Sequence, residues 1–487
     1  MNNLSLPIIG LAVAVFVLIY LVLRTKVHAL IAMIIAACIA GITGGLSVTQ
    51  TLDAITKGFG STLGSIGIVI GLGVMMGRIL EVSGAAEQIA FSFIRWLGKR
   101  REEWALAITG YLVSIPIFAD SAFVILYPIS KALAKKGNRS ALTLGIALAG
   151  GLIVTHTIVP PTPGPLGVAG LFGVDVGAMI LMGLAISIPC TISFVWYAQW
   201  LAKKYPEFSS FDRPTDEGPH VIHDNFLKHK ADKDLPSLTL SLLPILVPIL
   251  LILIKAIFGL FPQLEDDPNK MLHWMATLFS FTGSPVIALC ISTVLAVYTL
   301  VPYMDKKQTS ARLEEGLQSA GIILMVTGAG GALGFVVRES GAGAELAAQI
   351  SNLALSPVMI PFFVASALRL IQGSATVAMI TAASITGPIL TQVPGINLLF
   401  AAQAAAIGAY IFSYFNDSLF WVVNRLIGIT NVKQQIMAWS VPTTIVWAIG
   451  GILISLINLA FGSHGSWFDP VVPLGVLIFI VFLMRRK

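Results

Sequence analysis

The stretch WALAITGYLVSIPIFADSAFVILYPIS, residues 104–130, carries a single charge, Asp120. Basic clusters flank it on both sides: Arg95 to Arg101 before it, and Lys131, Lys135, Lys136 and Arg139 after it. Short loops rich in Lys and Arg stay on the cytoplasmic side of a membrane, so both ends of this stretch should face the cytoplasm. Its 27 residues fall short of the roughly 40 that two full helical crossings need. A re-entrant hairpin of two half-helices resolves the conflict. Its tip is expected at Ser114–Ser121, where Pro116 breaks the helix and where Asp120 would be costly against lipid.

The rest of the chain reads in the same terms. Of its 487 residues, 56% are hydrophobic and 11% charged, against about 25% charged in soluble domains. Only a bilayer can cover that much apolar surface. The net charge of +6 comes from Lys and Arg gathered between apolar runs, a topology signal that argues against a nucleic-acid-binding face. Cys38, Cys190 and Cys290 lie inside apolar stretches without a CxxC pair, so neither a disulfide framework nor a metal site is expected.

Spans follow from the apolar runs. Leu6 to Leu23 is too long for a signal-peptide core and ends at Arg24 and Lys26, which places the N-terminus outside. Further spans are expected over Ala29–Gly45 and Leu63–Leu80, with an amphipathic segment, Gly84–Leu97, along the interface. A span from Ala141 is broken at Pro160–Pro165, and another runs from Gly177 to Leu201. The polar loop Lys203–Pro236, with His220, His223 and His229, reads as a solvated cytoplasmic linker rather than a metal site. The second half has a span from Leu238 leaving at Glu265–Asp267, one returning to Lys306, and one over Leu317–Val336. A hairpin entered from outside follows over Val358–Leu390, then spans over Leu398–Val423, from Ala438 and from Val471. The total is about eleven full spans and two hairpins, with the C-terminus cytoplasmic behind Arg485–Lys487.

Gly64, Gly71, Gly73, Gly77, Ser83, Gly84 and Ala85 recur 257 positions later as Gly321, Gly328, Gly330, Gly334, Ser340, Gly341 and Ala342. Helix-packing glycines explain the residue type but not the shared register. By the basic-flank rule the two copies cross the membrane in opposite directions, which describes an inverted-topology repeat. Asp120–Val124 matches Gly373–Val377, and the break at Thr155–Pro165 has its counterpart at Tyr414–Ser418. Residues 1–202 and 237–460 are thus read as the two repeats, 203–236 as the loop between them, and 461–487 as an added C-terminal span.

Paired breaks in two inverted halves point to a binding site at the bilayer midplane. A broken helix presents free N–H groups at a positive dipole end, which binds carboxylates without a fixed cation. The first hairpin offers Asp120 and Ser121, and the first broken span Thr155, His156, Pro161 and Thr162. The second hairpin offers Gln372, Gly373, Ser374 and Thr376, and the second broken span Asn416, Asp417 and Ser418. Hydroxyls and amides at membrane depth suit a hydroxylated anion, although Ser and Thr also bond their own helices. Asp120, His156 and Asp417 are the proton-coupling candidates, two as intramembrane carboxylates and one for its accessible titration. Arg369 is open to a substrate carboxylate, to a protein carboxylate or to snorkelling.

At these residues the sequence resembles the gluconate permease family of gluconate:proton symporters, which includes carriers for sugar acids, glycerate, hydroxybutyrate and D-serine. The resemblance rests on Ile70–Gly73 with Glu81–Glu87, Val159–Pro161, Gly328–Ala332, Gly373–Met379 and Asp417–Trp421, and covers nearly all of the chain. It implies an all-α polytopic carrier with two re-entrant hairpins and two discontinuous spans, working as an elevator. It also implies proton-coupled uptake of a small hydroxy- or amino-carboxylate through the inner membrane. Thr162 and Ala119–Asp120 depart from the family pattern, which has His after the Pro pair and a Glu nearby; both bear on which acid is carried.

The expected partners are the bilayer, the organic acid and a proton, with sodium as the alternative and a homodimer as a further option. No cofactor and no nucleic acid are expected. A sodium-coupled carrier of the same architecture, for organic anions or D-amino acids, is the near alternative. The paired inverted hairpins argue against a channel. An enzyme would need a nucleophile, metal or phosphate motif that the sequence lacks.

Overall fold

The computed structural model describes residues 6–25, 27–97, 101–137, 140–204, 235–259, 270–301, 306–350 and 355–485. The three loop histidines and the acidic Glu265–Asp267 lie outside them. Every regular element among the described residues is helical.

After α1 (Leu6–Arg24) and α2 (Ala29–Thr43) comes α3 (Val48–Val82), 35 residues long. The expected span began only at Leu63, because Gln50, Asp53 and Lys57 dilute the hydropathy ahead of it. The helix starts earlier because Ser47 and Gln50 close a capping box. Gly84, at φ +82°, turns the chain into α4 (Ala85–Leu97), which buries Ala85, Ala86, Ile89 and Ala90 on one face. The expected hairpin appears as α5 (Glu102–Val113) and α6 (Ala119–Gly137) around a break at residues 114–118. Ser114 donates its hydroxyl to the Ile117 carbonyl at 3.0 Å inside that break. At 1.5 Å per residue, α5 is about 18 Å long, too short to cross a bilayer.

Next, α7 (Ala141–Ile158) is buried at every residue except His156, and α8 (Pro163–Phe172) follows a break holding a cis Pro160–Pro161 peptide bond. The long α9 (Val176–Lys204) completes the first half.

The second half opens with α10 (Leu238–Gly259), then α11 (Lys270–Thr282) and α12 (Pro285–Leu300). The single returning span expected here is two helices meeting at 71°. Gly283 and Ser284 turn the chain there: Ser284 caps α12, and Gly283 lies against the Leu251 carbonyl of α10 with no room for a side chain. Beyond it the element order of the first half returns. The long α13 (Lys306–Glu339) and short α14 (Ala342–Ile350) are joined at Gly341, φ +75°. A half-helix pair follows, α15 (Ile360–Gln372) and α16 (Ala375–Leu390), broken at Gly373–Ser374. A broken span consists of α17 (Leu398–Gly408) and α18 (Ser418–Ile427). Then α19 (Val432–Gln435) passes through one π-helical turn, Ile436–Ser440, into α20 (Val441–Phe461). Pro442 cannot donate to the helix ladder, which accounts for the irregular turn before it. A last helix, α21 (Val471–Arg485), buries only Pro473. Among the described residues six helical stretches are long and apolar enough to cross a membrane, with α7/α8 and α19/α20 each counted as one, and seven with the bent pair counted. The other four of the expected eleven, at Leu6–Val22, Ala29–Thr43, the α17/α18 pair and Val471–Arg485, are shorter apolar helices.

The two long helices α3 and α13 pack together antiparallel. A Cβ placed on Gly67 would lie 3.9 Å from Leu324, its own partner at the 257-residue spacing. Toward one end, Gly58 lies against Phe335 and the Gly331 carbonyl. Exchanging the halves turns Gly58 and Phe335 into Glu315 and Arg78, which are ion-paired at 2.6 Å. At Gly331 a side chain would collide with Thr62 and Gly58, whereas Gly64 and Gly321 face open space. Gly331→Val is therefore expected to destabilise the protein by about 1–3 kcal/mol, lowering the melting temperature in detergent, while Gly64→Ala and Gly321→Ala leave it unchanged. Equal melting of all three would show that this crossing is not tightly packed.

Candidate functional site

The two hairpin breaks and the two span breaks converge. Asp120 stands in the first turn of α6, where the helix N-terminus favours a carboxylate, and its Oδ2 accepts from the Ser418 hydroxyl of α18 at 2.8 Å. Tyr410, in the second span break, donates its hydroxyl to the Val154 carbonyl of α7. Gln403 of α17 donates from Nε2 to the Ile158 carbonyl at 3.2 Å. Gly164 of α8 lies against Thr376 and Met379 of α16, leaving no space for a side chain. Each contact joins the first half of the chain to the second.

The second half builds the most polar part. Arg369, in the last turn of α15, is 4% exposed and donates from Nη2 to Asp417 Oδ2 at 2.6 Å. Asp417 caps α18: its Oδ1 accepts from the Leu419 N–H at 3.4 Å, and its Oδ2 also accepts from the Ser413 hydroxyl at 2.5 Å. Trp439, in the π-helical turn, donates to Ser413 Oγ at 2.8 Å. Ser413 donates its backbone N–H to Thr443 Oγ1 at 3.2 Å and accepts at its carbonyl from the Ser440 hydroxyl at 2.5 Å. Phe412, beside it, is the one non-glycine residue with positive φ among the described residues, at 34°, an unfavourable backbone state that the surrounding bonds must hold. Asn416 donates from Nδ2 to the Leu370 carbonyl at 3.2 Å. Gly373, at φ +81°, lies directly against the Asn416 carbonyl; only glycine fits both the backbone angle and the space.

Several buried polar atoms in this region have no hydrogen-bond partner in the protein: His156 Nδ1, Arg369 Nε and Nη1, Gln372 Oε1, Gln403 Oε1 and Asn416 Oδ1. Native proteins leave few such groups, because each costs about 1–3 kcal/mol. These six atoms sit around the four chain breaks, where a polar ligand would supply the partners they lack.

Other residues singled out in the sequence are placed as follows. Ser121 lines a cavity of about 430 Å³ bounded by Gly77, Arg78 and Glu81 of α3, the hairpin tip Pro116–Phe118, and Glu315 and Gln318 of α13. The His156 ring lies 5.5 Å from the ring of Phe118 at that tip. Pro161 brings its carbonyl against Gly73 of α3. Thr155 bonds the Gly151 carbonyl of its own helix at 3.3 Å, and Thr162 the Val159 carbonyl at 2.8 Å. Ser374 caps α16 by accepting from the Val377 N–H at 3.4 Å. Sequence reasoning passed over Arg78, which pairs with Glu81 at 2.5 Å and Glu315 at 2.6 Å beside the cavity. A charged residue inside the apolar run of α3 was the signal for it. It also passed over Ser413 and Trp439, for which the sequence held no cue.

The GntP family permease model matches residues 6–460. An uncharacterized permease of Haemophilus influenzae is 61% identical over 100% of this chain and 99% of its own. The gluconate permease of Pseudomonas aeruginosa is 33% identical over 92% of this chain and 96% of its own. Among solved structures, the YdaH transporter of Alcanivorax borkumensis superposes with a TM-score of 0.62 over 95% of this chain and 100% of its own, at 15% identity. That last likeness bears on the fold alone. With a family match across nearly its whole length and apolar helices long enough to cross a bilayer, the chain belongs to the GntP permease family and is a multi-pass membrane permease, not an enzyme.

Proposed function

We propose that the protein is a secondary active carrier of the inner membrane that takes up a small hydroxy-carboxylate, gluconate or a related sugar acid, together with a proton. The observation that carries this reading is the set of unpartnered buried donors and acceptors gathered where four helix breaks meet. Helix N-termini at Ser374 and Asp417 supply positive dipole ends for a carboxylate. Amide oxygens supply acceptors for hydroxyls.

The carrier is built as two inverted repeats, residues 1–202 and 237–460, joined by a cytoplasmic loop and followed by a C-terminal span. In support, α3 and α13 cover the same stretch at the 257-residue spacing to within one residue and cross at a pair of equivalent positions, Gly67 and Leu324. Matching glycines with positive φ, Gly84 with Gly341 and Gly173 with Gly428, end matching helices. Alternating access then moves the hairpins and broken spans against the α3/α13 crossing, with the N-terminus outside and the C-terminus cytoplasmic.

A thermal-shift panel on the purified protein tests the substrate class. A ligand at 100 times its Kd adds about 2.7 kcal/mol of stability, so D-gluconate or D-glycerate should raise the melting temperature clearly. D-Serine stabilising the protein while both sugar acids do not would move the reading to a D-amino acid carrier. No response to any of the three would contradict it.

A further inference from the structure

We propose that Arg369 is the receptor for the substrate's carboxylate, and that the amide oxygens of Gln372 and Asn416 receive the hydroxyls beside it. This rests on the reading of the site as one for hydroxy acids and names which residues would do the recognition.

The argument begins with what the Arg369–Asp417 pair leaves over. A guanidinium carries five N–H donors. The bond to Asp417 uses Nη2, while Nε and both hydrogens of Nη1 are buried without a partner. An arginine kept only to neutralise Asp417 would have its remaining donors turned to backbone carbonyls or to solvent. Arg369 instead holds them unused inside the protein, at a side chain that is 4% exposed. Asp417 is already served from three sides, by Arg369, Ser413 and the Leu419 N–H. The aspartate thus has three donors around it, while the arginine keeps three N–H groups unused. Donors on a planar cation match a carboxylate better than any other small group.

The acceptors complete the match. Gln372 follows Arg369 by three residues on α15, so the two side chains share one helix face. Its Oε1 is buried without a partner. Asn416, adjacent to Asp417, spends its Nδ2 on the Leu370 carbonyl, which can only accept and so fixes which amide atom faces it. Its Oδ1 is left free of any protein donor. A cation with open donors beside two open carbonyl-type acceptors is complementary to a carboxylate carrying hydroxyls on neighbouring carbons. A plain fatty acid would leave both acceptors unsatisfied, and a neutral sugar would offer the guanidinium only single hydroxyl oxygens, without the charged oxygen pair that matches its planar fork.

The test compares D-gluconate with D-gluconamide, the same molecule with its charge removed, by calorimetric titration of the purified carrier and of Arg369→Lys. Lysine keeps the positive charge for Asp417 and removes the open fork. Wild type should bind the amide at least about thirtyfold more weakly than the acid, and in Arg369→Lys the acid should weaken to within about threefold of the amide. Gln372→Met should weaken gluconate several-fold without changing the acid-to-amide ratio. Wild type binding both ligands equally would overturn the role of Arg369 while leaving the hydroxy-acid reading in place, and that comparison stands even where the lysine variant does not fold. Acid binding by Arg369→Lys within twofold of wild type would overturn it too. Failure of wild type to bind gluconate, glycerate or D-serine at all would instead remove the hydroxy-acid reading, and this inference with it.

Discussion

Asp417→Ala is expected to cost the protein its fold before it costs it transport. Removing one member of a buried ion pair leaves the other charge buried and unpaired, an effect of about 3–5 kcal/mol. Here the loss is compounded, because Asp417 also caps α18 and accepts from Ser413, whose own bonds to Trp439, Ser440 and Thr443 hold the second span break in shape. The measurable consequence is a sharply reduced yield of monodisperse protein in detergent and a lowered melting temperature. Adding Arg369→Met to Asp417→Ala should restore much of the stability, since no buried charge then lacks a partner, without restoring substrate binding. Asp417→Ala melting within about 1 °C of wild type, where a loss of about 3–5 kcal/mol should move a chain of 487 residues by about 3–5 °C, would show that the pair does not hold the break.

Asp120→Asn should have the opposite profile, an intact fold with coupling lost. A proton carrier must gain and lose its proton as the site changes state. Asp417 is fixed by three hydrogen bonds, whereas Asp120 is held among the described residues by the one from Ser418. One proton carried with each substrate anion is electroneutral, and a pH difference of one unit is worth about 1.36 kcal/mol, or tenfold accumulation. Asparagine keeps the shape and can accept from Ser418, but it cannot exchange a proton. The variant should equilibrate labelled substrate across a membrane at equal concentrations and fail to concentrate it under a pH gradient. Normal accumulation would shift the role to His156, with His156→Gln as the next variant.

How much of this was legible in the sequence differs by feature. The first hairpin could be read because Pro116 and flanking basic clusters are local signals, and the structure breaks the helix at residues 114–118. The equivalence of α3 and α13 was read from glycines recurring in register 257 residues apart, whereas the tightest packing at their crossing falls at Gly58 and Gly331, which are outside that repeated set. The early start of α3 was missed, since its first turns carry Gln50, Asp53 and Lys57 and a hydropathy window reports burial in lipid, not helicity. The 71° bend at Gly283–Ser284 was written in a Gly-Ser-Pro run but was averaged into one span. The partners in the site were not legible at all. Arg369 and Asp417 lie 48 residues apart, and Asp120 and Ser418 lie 298 apart. Pairings over such distances depend on how the halves dock, which no local pattern encodes. For Arg369 the sequence left a protein carboxylate and a substrate carboxylate as competing partners; the structure supplies the first and leaves donors over for the second.

The central claim, coupled transport of a sugar acid, is tested most directly in proteoliposomes holding only this protein. Radiolabelled D-gluconate is added outside at a pH one unit below the interior, with choline replacing sodium throughout. The account predicts saturable uptake that overshoots to about tenfold accumulation and collapses when a protonophore is added. Uptake that needs sodium, or that never exceeds the external concentration and does not saturate, would contradict it.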